Sequence, residues 1–154
     1  MKKFLALLSF ALWINSLAIA GDVAQQIVTF QVDAINELSI NGGSNYLAMA
    51  VGEKSTTGYV SWAITTNETN KRIMGSIDAD MAPGATLSVE LEAPAGSLSK
   101  GPVILSTTAK CLVADISKVA DKNLGLTYML FVDGNDGNVE KSQRVLTLTL
   151  TDGL

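Results

Sequence analysis

Carboxylates carry whatever chemistry this chain can do, because histidine is absent from it altogether. Imidazole is the commonest general base near neutral pH and the commonest metal ligand, so serine triads, Cys–His pairs and histidine-based zinc or copper sites are excluded. Two acid pairs remain, Glu90 with Glu92 and Asp78 with Asp80, each spaced two apart in an alternating segment and so expected on one face of a strand. Such a pair could pass a proton or hold a cation, yet two carboxylates on the solvent side of a sheet are ordinary surface chemistry. Cys111 is the single cysteine and has no internal disulfide partner; beside Leu112 and Val113 it is expected to be a buried, inert thiol. These residues point to no catalytic site and no cofactor.

Oxygen-bearing side chains also cluster at Asp133, Asn135, Asp136, Asn138 and Glu140, interleaved with Gly134 and Gly137, in the manner of a calcium loop. The twelve-residue EF-hand register fails there, since Gly137 comes one position early and no acid stands at the twelfth place. A hairpin loop is the expectation, with no metal. Asn67-Glu68-Thr69 matches a glycosylation sequon in a polar turn.

The start of the chain says where this surface should be displayed. Lys2 and Lys3 precede an apolar run from Phe4 to Ile14, too short to span a bilayer, and Ala18-Ile19-Ala20 offers the small side chains of a cleavage site. Residues 1–20 are therefore expected to be a signal peptide cleaved after Ala20, and residues 21–154 a single secreted domain, extracellular or on the cell surface. No second apolar run approaches the roughly 20 residues of a membrane helix. Removing Lys2 and Lys3 from 11 basic residues leaves 9 against 15 acidic ones, a net charge of −6. That balance disfavours nucleic acid and anionic membranes, which reward basic patches.

Hydrophobic periodicity sets the elements that must position these residues. From Ile27 to Ile40 the apolar positions Val28, Phe30, Val32, Ala34, Leu38 and Ile40 alternate with polar ones, which predicts one long strand, or two joined at a bulge near Asn36. Further strands are expected at Tyr46–Val51, at Tyr59–Thr66 with Val60, Trp62 and Ile64 on one face, around Ile73, Gly75 and Ile77, and at Leu87–Ala93. Others are expected at Val103–Thr108, Leu124–Val132 and Arg144–Thr151. Gly52–Gly58 and Pro94–Pro102 read as loops. Between Ala109 and Ala120 the spacing of Leu112, Ile116 and Val119 reads as a short helical crossover. Trp62 is expected in the core, and Tyr128 as a core tyrosine with its hydroxyl tied to backbone.

These roughly eight strands, with at most one short helix, predict an all-β fold, an antiparallel Greek-key β-sandwich of immunoglobulin-like type. Two strands are apolar on both faces: Tyr46–Val51, which includes Met49, and the segment where Met129 and Phe131 oppose Leu130 and Val132. A sandwich strand has one dry face, so the second must be covered by a loop or another subunit.

The segment Val23–Ala34, long, alternating and apolar at Val28, Phe30, Val32 and Ala34, resembles the donor strands of secreted fibre and pilus subunits that complete a neighbour's sandwich. The chain departs from the chaperone-assembled pilins in having no cysteine pair and no penultimate aromatic, so no chaperone or usher is carried over. The resemblance implies a secreted structural subunit that self-assembles with copies or related subunits through Val28, Phe30, Val32, Ala34, Met49, Met129 and Phe131. The alternative is a monomeric adhesin or carbohydrate-binding module in which Tyr46, Tyr59 or Trp62 stacks on sugar.

Overall fold

The computed structural model describes residues 26–42, 47–48, 55–133 and 142–154, and the chain divides into two units, Met1–Val32 and Asp33–Leu154. In the first unit, residues 26–32 belong to no strand or helix and their side chains are exposed. The second holds β1 (Asn36–Asn41), β2 (Ser55–Thr66), β3 (Lys71–Ile77), β4 (Ala85–Leu91), β5 (Leu98–Ser99), β6 (Val103–Ile104), β7 (Lys110–Ile116), β8 (Val119–Val132) and β9 (Leu146–Asp152). They form two antiparallel sheets, ordered β1-β2-β8-β4-β6 and β5-β7-β3-β9. The fold is the all-β antiparallel sandwich that the alternation predicts. Every strand after β2 lies in the sheet opposite its predecessor. The core is therefore closed by contacts distant in sequence.

Period-two patterning explains the strands that build this core. In β2 the side chains of Trp62 and Ile64 point inward and are buried; Ile73 and Ile77 do the same in β3, and Leu87, Val89 and Leu91 in β4. Leu112, Val113 and Ile116 of β7, Leu126 of β8 and Leu105 complete the cluster. Trp62 keeps its one polar atom satisfied, its Nε1–H donating to the Gly125 carbonyl at 3.2 Å. Two turns share one chemistry. In Ala82-Pro83-Gly84-Ala85 and Pro94-Ala95-Gly96-Ser97 the fourth amide donates to the first carbonyl at 3.0 Å, with glycine at positive φ in third place, as a type II turn requires.

Bulges account for the places where the sequence pattern misleads. Between Lys71 and Ile73 of β3 the partner strand advances from Ile116 to Val113, and between Ile73 and Met74 from Val113 to Cys111, so β7 carries two extra residues. Asp115 takes a positive φ of 60° there. The expected helix over Ala109–Ala120 is thus a correction: Leu112 and Ile116 share one face of a strand, and Val119 opens the next strand after Lys118 reverses the chain at φ 49°. The i, i+4 spacing fits both elements, and the bulges removed the alternation that would have separated them.

Other boundaries shift as well. The long strand expected over Ile27–Ile40 is confined to Asn36–Asn41, Ser55–Gly58 belong to β2 and not to a loop, and β5 lies inside the expected Pro94–Pro102 loop. The strand expected at Val103–Thr108 is only Val103–Ile104. Of Tyr46–Val51, only Leu47 and Ala48 are described, outside any strand; Tyr46 and Met49 lie outside the described residues. The signal peptide also lies outside them. Among the described residues no helix is long and apolar enough to cross a membrane.

Candidate assembly surface

The arm before β1 carries its alternation outside any strand or helix. Val28, Phe30 and Val32 are 72%, 86% and 73% exposed, and Ala34 is exposed as well. An exposed phenylalanine between two exposed valines is a large apolar surface left to water. The root of the arm is fixed by Asn67, at the end of β2. Its Oδ1 accepts from the Ile35 amide at 2.8 Å, its Nδ2 donates to the Asp33 carbonyl at 2.8 Å, and its backbone amide donates to the Ile35 carbonyl at 3.3 Å. An asparagine side chain imitates a peptide unit in this way, extending the β1–β2 pairing by one rung. The sequence reveals Asn67 only as part of a sequon; an Asn just beyond a strand end is the signal that could have found this clamp.

Two long sheet edges lie on one side of the sandwich. β1 pairs only with β2 and β9 only with β3, and the two strands come together across the sheets. Leu38 of β1 and Leu146, Leu148 and Leu150 of β9 pack on the core yet remain only half-buried, and Ile40 is 37% exposed. The seam between β1 and β9 is therefore an apolar strip flanked by two backbone edges, and among the described residues no further strand pairs with either one.

A second apolar surface lies on the outer face of the larger sheet. Thr57 pairs with Met129, Met129 with Ser88 and Ser88 with Ile104, while Ser55 pairs with Phe131 and Tyr59 with Thr127 in neighbouring rows. Met129, Phe131, Ile104 and Tyr59 are 41%, 44%, 56% and 73% exposed. Met129 and Phe131 thus face outward as expected, joined by Ile104 and Tyr59 and framed by hydroxyl side chains. Trp62 is 0% exposed and cannot stack on a sugar.

Glu90 in β4 and Glu92 just past it are exposed on the solvent side as expected, whereas Asp78 and Asp80, also exposed, lie beyond a strand end and not on a strand. Asp78 and Asp80 follow the end of β3: Asp78 Oδ1 accepts from the Val145 amide at 2.8 Å, and Asp80 Oδ1 from the Thr107 amide at 3.1 Å. The Asp80 carbonyl also accepts from the Arg144 guanidinium. Glu92 lies one residue past β4, and its Oε2 accepts from the Gly125 amide at 2.7 Å. These acids hold loops and strand ends in place. Cys111 is half-buried, not buried, with its Sγ 3.6 Å from the Val113 carbonyl. Tyr128 packs on the core half-buried, and burial pushes its hydroxyl pKa up; among the described residues no hydrogen bond ties that hydroxyl to backbone.

Of the calcium-loop candidates only Asp133 is described, with its amide donating to the Gly84 carbonyl at 2.7 Å; Asn135, Asp136, Asn138 and Glu140 lie outside the described residues. Among the described residues no three acidic, cysteine or histidine side chains gather around one metal position. One ionic cluster joins the sheets' margins, with Lys71 contacting both Glu68, at 2.7 Å, and Asp152, and Asn36 donating to Glu68. Hydrogen bonds from Lys71 and then Asn36 hold the Glu68 carboxyl below its usual range, and Lys71 does the same to Asp152. Asp152 first and Glu68 second raise the Lys71 ammonium above its own. An open depression of about 490 Å³ beside the arm root is lined by Ile35, Thr65, Thr66, Asn67, Lys118, Val119 and Ala120. Lys118 is its single charged group. No protein-family model and no curated protein matches the chain.

Proposed function

We propose that this protein is a secreted structural subunit of a cell-surface fibre, pilus or coat, assembling when the arm of one copy completes the sandwich of another. The observation that carries this reading is the arm, whose apolar positions Val28, Phe30 and Val32 alternate as in a half-buried strand yet face water. Burying one such side chain is worth about 1.5–3 kcal/mol. Three together give a strong incentive to find a sheet. The outer patch of Met129 and Phe131 supplies a second surface for packing between subunits. Electron microscopy of the secreted material tests the proposal: ordered filaments or a surface layer support it, and dispersed single particles at high concentration oppose it.

A second reading rests on Tyr59, which stands 73% exposed on a sheet face among Thr57, Thr127 and Glu90. An aromatic ring framed by hydroxyls and a carboxylate is suited to a sugar ring. Retention of the monomer on a polysaccharide column, lost in Tyr59→Ala, would favour that module over the subunit.

A further inference from the structure

Among the described residues four strands border the two sheets, and they differ in how they resist pairing with another chain. β5 and β6 are two residues each, too short to template a partner. β1 carries Glu37 in its outward row and begins and ends on asparagine. β9 has a single acid, Asp152, at its very end, and is otherwise without these defences. Its residues Leu146–Thr151 contain no charge, no proline and no glycine, its pairing with β3 runs through seven residues without a bulge, and its outward row is threonine, a strong strand former. Its inward row, Leu146, Leu148 and Leu150, is left half-buried at the seam with β1.

Resting on the assembly reading above, we propose that β9 is the acceptor edge, and that residues 26–34 of a second copy add to it as a fifth strand of the smaller sheet. The match is one of length, parity and chemistry. Nine arm residues meet a seven-residue edge, and added in phase, Val28, Phe30 and Val32 fall over the seam beside the half-buried leucines while Thr29 and Gln31 join the threonine row outside. Backbone hydrogen bonds give the affinity and the apolar row fixes the register, since a slip of one residue would turn every valine outward. The donor is a second copy because Phe30–Asn36 contains no glycine or proline to reverse the chain, and Asn67 clamps residues 33 and 35 in line with β1.

Cysteine pairing between full-length proteins tests this in a Cys111→Ser background. Chains bearing Gln31→Cys are mixed with chains bearing Thr147→Cys, Thr149→Cys or, for the other edge, Ser39→Cys, and oxidised after unchanged circular dichroism has confirmed folding. The expected result is a disulfide-linked heterodimer, at least tenfold more abundant with Thr147→Cys or Thr149→Cys than with Ser39→Cys. Cross-linking confined to Ser39→Cys would overturn the β9 assignment while leaving assembly by the arm intact. Absence of any heterodimer, with every mixture monomeric by sedimentation, would overturn both.

Discussion

Trp62 is the largest fully buried side chain in the core, and its position was legible because Val60, Trp62 and Ile64 alternate with polar or small neighbours over a whole strand. Trp62→Ala is expected to destabilise the protein by about 3–5 kcal/mol, read from the denaturant midpoint. Wild-type emission at this residue should be blue-shifted and poorly quenched by iodide. Asn67 was not legible in the same way, because nothing in its sequence context states that its amide spans two backbone groups 32 and 34 positions earlier. Asn67→Ala should cost about 1–2 kcal/mol by losing two hydrogen bonds, and Asn67→Asp should cost more at neutral pH by setting a carboxylate against the Asp33 carbonyl. Both are measured by thermal unfolding. The Lys71 cluster gives a pH signature. The lowered pKa values of Glu68 and Asp152 stabilise the fold above the ordinary carboxylate range, an effect lost as pH falls through their lowered values. The raised Lys71 value stabilises below the ordinary lysine range and is lost as pH rises through it. Lys71→Met should therefore flatten the acid limb of the melting temperature against pH, more visibly at low salt than at high salt.

At the scale of elements, strands that keep strict alternation were readable and bulged ones were not. β3, β4 and β9 follow the pattern of their sequences, whereas β7 hides two extra residues that no local signal separates from a helical spacing. The arm presents a different difficulty: alternation records that a strand will be half-buried, but not which molecule's sheet will bury it. Tight packing between elements can also be checked. A Cβ at Gly75 of β3 would lie 2.5 Å from Leu112 Cδ1 and 3.2 Å from its Cγ, and Leu112 is itself 1% exposed, with little room to move. Gly75→Ala should destabilise by about 1–3 kcal/mol through overpacking, measured by denaturant titration. Thr149 faces outward on β9, so Thr149→Lys should leave monomer stability within about 0.5 kcal/mol while blocking the edge, as charged side chains do on natural edge strands. Sedimentation of that variant checks the second half of the prediction.

Residues 33–154 form a sandwich of two small sheets with an apolar seam between β1 and β9, and residues 26–32 form an apolar, exposed segment. The chain's net charge of −4 keeps copies apart unless a specific contact outweighs the repulsion. Strand addition is such a contact, and the central claim is that the arm makes it between molecules. Sedimentation velocity of the purified protein across a hundredfold range of concentration, beside Phe30→Asp, tests that claim most directly. Phe30 is exposed in the single chain, so the substitution should leave the fold of each copy unchanged; in an assembled sheet it would bury an unpaired charge. The account predicts concentration-dependent oligomers for the wild type and monomers for Phe30→Asp. Wild-type protein that sediments as a monomer throughout, or a Phe30→Asp variant that assembles equally well, would contradict it.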